Sequence, residues 1–462
     1  MISGHLGLEH DFMKKWTRYE SRFEQFITKY SEELVRWRRD FHQHPELGWM
    51  EYRTTFKIAQ ILEKLSYDVI IGREVLSSSF RLGLPDRQQS YAAVVRAKEE
   101  GVPEEYLEQM VDGHTGLVAK LDTGKEGPHI ALRFDIDALP IQEFEDAKHD
   151  PYRLKFHSKH PGVMHACGHD GHMTIGLGLA HFIHECREEL TGTFTLLFQP
   201  AEEGSRGAKA MVEKGWLEGV DYFLAGHIGF SVFELGEVAA STSNFLATTK
   251  LNVEFKGKSA HAGQEPQNGR NALQAGAAAA LQIHSIPRHG EGITRVNVGK
   301  MNAGEGRNII PEYSLLELET RGQTTDLNQY MVKEVKRIIT AAAMAYDVQA
   351  GVEIVGEGIS SSCDQELTYL IQKLWQGSSR IKQIKESAEL GASEDVCYML
   401  QRVKEQGGQA TYMLFGSPLE AGHHHPLFDY REEVLEVAIE AFSRIVYHLS
   451  TGDEQGNDHN KG

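Results

Sequence analysis

The sequence holds few cysteines, no long apolar run and no excess of positive charge, and each shortage removes a class of protein. Four cysteines in 462 residues, Cys167, Cys186, Cys363 and Cys397, are too few and too scattered for a disulfide framework. The opening Met1-Ile2-Ser3-Gly4-His5 lacks the charged and apolar regions of a secretory signal, so a reducing cytoplasm is the expected compartment. No apolar stretch approaches the roughly 18 to 20 residues that a membrane helix needs, and no membrane anchoring is expected. A formal net charge of -18 argues against electrostatic capture of nucleic acid or of an anionic bilayer. It leaves a small anionic substrate open, because a few local cations or metals outweigh a distant field.

What is present is ordinary globular composition, with 40% hydrophobic and 25% charged residues. The length exceeds what a single core usually organises, so two domains are expected. The first 65 residues read mostly as helix, with Leu34, Trp37 and Phe41 and then Ile58, Ile61, Leu62 and Leu65 on single faces. Between them Pro45 and Gly48 mark a break, and His42 and His44 beside it read as structural. Residues 80–113 form a polar, charged insert with one helical stretch from Tyr91 to Met110. Strand-like runs follow at 116–122, 129–134 and 193–198, with a helix-like stretch from Thr174 to Phe182. That order indicates an α/β fold with a largely parallel sheet, in which ligands gather at the carboxyl ends of strands. From about Thr248 the pattern becomes β-α-β-β-α-β: strands at 250–255, 294–298, 315–320 and 352–355, helices at 271–284 and 327–346. The expected organisation is a catalytic domain from 1–246 and 357–462, interrupted at 247–356 by an inserted α+β domain. The polar tail 453–462 is expected to fray.

Four segments carry ligand-type side chains. Met164-His165-Ala166-Cys167-Gly168-His169-Asp170-Gly171-His172 stands ahead of a helix. A thiolate and an imidazole two apart can share one pocket and suit zinc or a similar borderline metal, with Asp170 and His172 in support; a His-rich loop with a buried free cysteine is the plainer alternative. Glu202 and Glu203 follow a buried-looking strand, where adjacent carboxylates form a solvated turn unless a cation or a shared proton relieves them. His227 follows the strand-like Tyr222-Phe223-Leu224. Near the end His423, His424 and His425 precede a helix at 432–448; three neighbours cannot all reach one metal.

Taken together, the segments 133–140, 165–172, 199–204, 227–229, Ser259-Ala260-His261-Ala262-Gly263, Arg307-Asn308-Ile309-Ile310-Pro311 and 424–428 resemble the amidohydrolase branch of the aminoacylase and glutamate-carboxypeptidase superfamily. Within it the insert and the run Ser243 to Lys250 are most similar to the p-aminobenzoyl-glutamate hydrolases. The resemblance implies a zinc-peptidase-like catalytic domain and a ferredoxin-like lid and dimerisation domain. It implies two divalent ions, Mn²⁺ or Zn²⁺, on Cys167, His169, Glu203, His227 and His424, with Glu202 as the acid/base that activates a metal-acidified water. Asp137 would be a carboxylate beside the metals. His261 would support the oxyanion, and Asn308 and Arg321 would contact substrate. The family commonly has Ser or Asn after the final ligand where this chain has His425, so the choice of His424 over its neighbours depends on alignment. The implied substrate is a small anionic N-acyl amino acid, foremost p-aminobenzoyl-glutamate. Acetyl, benzoyl or indole-acetyl conjugates and dipeptides are the alternatives. A homodimer is implied, with a heterodimer with a related subunit, or a catalytically silent subunit, as further readings.

Overall fold

The computed structural model describes the backbone of residues 2–451 and the side chains of residues 15–451; the polar tail 453–462 lies outside the described residues. The strands in chain order are β1 (Asp68–Ile71), β2 (Leu117–Asp122), β3 (His129–Asp135), β4 (Thr193–Gln199), β5 (Tyr222–Ile228), β6 (Glu237–Ala239), β7 (Thr242–Ser243), β8 (Ala247–Lys256), β9 (Thr294–Ala303), β10 (Tyr313–Gly322), β11 (Gln349–Gly358), β12 (Gln383–Lys385), β13 (Ala388–Glu389) and β14 (Gln409–Phe415). An eight-stranded sheet runs β1-β2-β4-β3-β5-β14-β6-β12, and β7 and β13 form a small ribbon beside it. Its centre, β4-β3-β5-β14, is parallel throughout, while β1, β2 and the β14-β6 step are antiparallel.

The central strands are continuous apolar runs because both faces are covered. Ile130, Leu132 and Phe134 face the helices Ile2–Gln43, His169–Cys186 and Val434–Ser450, whereas Ala131, Leu197 and Phe223 face the helix Cys397–Glu405. Gly176 lets the helix His169–Cys186 lie close to the sheet: a Cβ there would sit 2.6 Å from the Phe134 ring. That helix starts at His169 rather than at Thr174, where its apolar rhythm begins, because its first turn is made of polar site residues.

A second, four-stranded sheet runs β11-β8-β10-β9, antiparallel at every step. Leu251, Val253 and Phe255 turn one face of it toward the helices Ala272–His284 and Thr325–Ala345. The opposite face meets the loops of the first sheet, with Glu357 N donating to Ser205 O at 2.9 Å. The helical stretch expected from Tyr91 to Met110 is two helices, Arg87–Glu99 and Glu104–Gln109. Gly101, at φ +85°, and the N-capping Pro103 separate them.

Candidate metal centre

The parallel strands end on one side, and their carboxyl ends deliver the polar residues. His227 lies inside β5, one residue before its end, rather than after the strand. Cys167 and His169 flank Gly168, which at φ +89° caps the helix His169–Cys186 and turns both side chains inward. The Cys167 thiol stands 3.5 Å from His227 Nε2. Ligand atoms of Cys167, His169 and His227 lie within 4.8 Å of one another, and so do those of Cys167, Glu203 and His424. The two triads share the thiol.

Hydrogen bonds outside the triads fix the rings. His169 Nδ1 donates to Asp137 O at 2.8 Å, leaving its buried Nε2 without a partner. His227 Nδ1 donates to Ile228 O at 2.8 Å. His172 accepts from Ile228 N at Nε2 and donates from Nδ1 to Asp135 at 2.6 Å, so both its nitrogens are spent. Among the C-terminal histidines, His423 bonds Ile228 O at 3.0 Å and stacks on Phe230, and His425 accepts from Leu427 N. His424, at φ +63° and with its side chain 53% exposed, has its backbone N–H tied to Ala166 O at 2.7 Å and its Nε2 3.4 Å from Glu203 Oε1.

The Glu202-Glu203 turn is held from below. Glu51 accepts from Ala201 N at 2.8 Å, and Asp137 accepts from Glu202 N and Glu203 N, both at 3.0 Å. These bonds hold Ala201 at φ +51°, a conformation an alanine does not take unaided. Behind the turn Arg133 pairs with Asp135 at 2.6 Å and Asp395 at 3.2 Å, and Asp395 accepts from Gly207 N and Ala208 N. Glu394 completes a buried group with Glu202 and Asp395.

This pocket is short of positive charge. Burial, followed by Glu394 and Glu203, holds the Glu202 carboxyl well above the usual range, and burial with Glu203 raises the Cys167 thiol likewise. Burial opposes a charge on His169, yet Asp135 and Asp137 push it up to about 10. Burial, with His172 next, keeps His227 neutral. A converging set of thiol, neutral imidazole and carboxylate, with His169 Nε2 and Glu203 Oε1 both buried and neither satisfied by a hydrogen bond, fits divalent cations of the zinc or manganese kind.

A profile of the Peptidase family M20/M25/M40 matches residues 131–448. The chain belongs to that family. Its relatives include the indole-3-acetyl-aspartic acid hydrolase of Enterobacter agglomerans, 44% identical over 91% of this chain and 96% of that protein. A p-aminobenzoyl-glutamate hydrolase subunit of Escherichia coli K12 is also 44% identical, over 92% and 98%. Among solved structures, the aminobenzoyl-glutamate utilization protein from Klebsiella pneumoniae superposes with a TM-score of 0.80 at 39% identity, covering 92% and 98%. The resemblance drawn from the motifs therefore holds, and so does the mixed, largely parallel α/β architecture of this M20 chain.

Of the residues singled out in the sequence, the structure brings together Cys167, His169, Glu202, Glu203, His227, His424 and Asp137. Asp137 works through backbone N–H groups of the Glu202-Glu203 turn. His261, Asn308 and Arg321 stand apart on the second sheet and its loops. His261 is exposed, and its Nδ1 accepts from Gly263 N and Gln264 N, both at 3.1 Å. Asn308 is exposed and offers its backbone carbonyl to Ala262 N. Arg321 is engaged with Glu319 at 3.1 and 3.3 Å. Sequence reasoning missed Asp135, Glu394, Asp395 and Glu51. The adjacent acids Glu394-Asp395 carried the same signal as Glu202-Glu203, but Glu51 carried none.

Proposed function

We propose that the chain hydrolyses the amide bond of an N-acyl amino acid, with p-aminobenzoyl-glutamate the foremost candidate and indole-3-acetyl-aspartate the second. The observation that carries this reading is the pair of ligand triads sharing Cys167, with Glu202 beside His169 and Glu203. One ion would sit on Cys167, His169 and His227, the other on Glu203, His424 and the shared thiol. Bound Mn²⁺ or Zn²⁺ would supply Lewis acidity, lowering the pKa of water from 15.7 to about 7 and polarising a carbonyl. Glu202 is buried and carries no ion in this assignment. It takes the proton of the attacking water at its carboxylate and returns it to the leaving nitrogen, serving as base and acid in turn. Asp137 and Glu51 position that carboxylate by holding the turn beneath it.

The same proposal makes residues 247–356 a lid and dimerisation domain. His261 would then serve the site of a second copy, in keeping with an exposed ring whose bonds stay within its own loop, and Asn308 beside it would meet substrate. The edge strand β9 offers unpaired backbone for such a contact; a related subunit in place of a second copy is the alternative. Among the described residues no helix is long and apolar enough to cross a membrane. The free cysteines suit a reducing cytoplasm.

The test is to strip the protein of metal, reload it with Mn²⁺ or Zn²⁺, and follow release of p-aminobenzoate and of indole-3-acetate. Acetyl and benzoyl amino acids serve as competitors. Turnover that requires the ions, with one acyl group preferred, is expected. Two ions bound per chain and no hydrolysis of any N-acyl amino acid would overturn the proposal and favour a silent partner subunit.

A further inference from the structure

The face of the second sheet that meets the metal centre carries a cation with nothing to hold. Alternation along β8 sends Leu251, Val253 and Phe255 into the helical layer, which leaves Lys250 and Asn252 on the opposite face. Lys250 pairs in register with Glu319 on β10 and with Gly356 on β11. Gly356 is where the sheet presses hardest on the catalytic loops. A Cβ at that position would meet Gly204 O at 2.1 Å and the Lys250 stem at 3.2 Å. The lysine therefore runs across a side-chain gap beside the Glu203-Gly204 turn.

Lys250 lines a cleft of about 540 Å³ together with Glu203, Arg206, Asn252 and Leu84. Arg81 and Arg206 line the same cleft, and each already holds backbone carbonyl oxygen. Arg81 donates to Asp112 O, and Arg206 to Glu203 O and Gly83 O, each at 2.8 Å. Two further acids border the cleft: Glu317, bound by Lys300 at 2.6 Å, and the exposed Glu353. Glu319 is taken by Arg321. Among the described residues Lys250 has neither a hydrogen bond nor a carboxylate within 4.0 Å. Its charged surroundings are Glu319, Glu202, Arg321 and Glu203, and burial is the main influence on it, pulling its pKa down. A part-exposed ammonium that lines a cleft with no carboxylate of its own is placed to take an anion from solution.

We infer that Lys250 anchors a carboxylate of the substrate's amino-acid half in the cleft between the second sheet and the Glu203-Gly204 turn, with Asn252 beside it. This rests on the hydrolase reading, in which Glu203 is committed to metal and Glu202 to the proton, so that neither is Lys250's lasting partner. The carboxylate is the α-carboxylate or that of an acidic side chain, and substrates can tell these apart.

The test compares wild type, Lys250→Met and Lys250→Arg as metal-loaded enzymes on N-benzoyl-glutamate, N-benzoyl-glutamine and N-benzoyl-isoglutamine. Loss of one charge-assisted contact should raise KM by about 10- to 100-fold in Lys250→Met. The loss should be confined to substrates carrying the recognised carboxylate and should be largely recovered in Lys250→Arg. A KM unchanged in Lys250→Met, or raised equally on all three substrates, overturns the assignment. So does a fall in bound metal without a change in KM, which would make Lys250 a counter-charge to Glu202 and Glu203. A calorimetric titration with glutarate separates this from the hydrolase reading. If wild type cleaves no N-acyl amino acid yet binds glutarate about tenfold more tightly than Lys250→Met does, the anion site stands and only the reaction is wrong. Equal binding by both, or none by wild type, refutes the site.

Discussion

Asp137→Asn perturbs the support of the catalytic turn without removing a proposed metal ligand. Each carboxylate oxygen of Asp137 accepts one backbone N–H, from Glu202 and from Glu203, at 3.0 Å apiece. The amide keeps one acceptor and turns an NH₂ group toward an N–H it cannot accept. A hydrogen bond to a charged acceptor is worth about 1.5 to 3 kcal/mol, so loosening the turn should cost about 2 kcal/mol, or a factor of about 30. Because the proposed base and a proposed ligand hang on adjacent residues of one turn, that factor should appear twice. Chelator competition should report weaker metal binding, and kcat/KM on p-aminobenzoyl-glutamate should fall comparably at saturating metal. The backbone carbonyl that orients His169 is untouched by the substitution, so metal should still bind. Wild-type affinity and turnover together would refute this account of Asp137. A collapse of metal binding beyond about 10⁴-fold would also refute it, since support groups behind metal ligands typically contribute only about 10- to 100-fold.

Glu202→Gln should keep its metal and lose about 10²- to 10⁴-fold in turnover, whereas Glu203→Gln should weaken metal binding; near-wild-type activity in Glu202→Gln would contradict its role. His261→Ala should lose about 10²- to 10³-fold with metal retained. After subunit exchange with Glu202→Gln, activity should recover in hybrids that unite wild-type Glu202 with the other copy's His261, and proven hybrids that stay inactive would place the histidine elsewhere. Stability should also fall with rising pH. His42 lies 3.0 Å from Glu143 and 2.8 Å from Asp170; burial disfavours its charge, but the two carboxylates raise it from 6.5 to about 9. Its contribution is thus complete below pH 6.5 and lost as pH rises through 9, on the order of 3 kcal/mol. Urea midpoints should decline across that window more steeply in wild type than in His42→Asn, and parallel slopes would exclude this source.

Much of the fold was legible because periodicity survives wherever a face is buried. The runs at 129–134 and 193–198 became fully covered parallel strands, and the alternation at 250–255 became β8. Legibility failed where structure depends on polar partners distant in sequence. The helix beginning at His169 has no apolar rhythm in its first turn. Glu51 looks like any surface acid until its bonds to Ala201 N and Thr115 are seen. The ligand types could be read from four segments, but the separation of His424 from His423 and His425 required backbone: only the positive φ and the bond to Ala166 O turn that one ring toward Glu203.

β14 lies between β5 and β6 in the middle of the larger sheet, although the whole second sheet stands between β5 and β14 along the chain. During synthesis, the apolar edge of β5 must therefore wait until the last part of the chain has left the ribosome, while the second sheet already has every strand it needs. Such long-range pairing forms slowly and exposes unpaired edges in the interim. A chain halted before residue 409 would present that edge to other copies, and it would lack the loop that carries His424. Metal added to such a fragment could not rescue it, because the strand that closes the sheet and the ligand that closes the site arrive together.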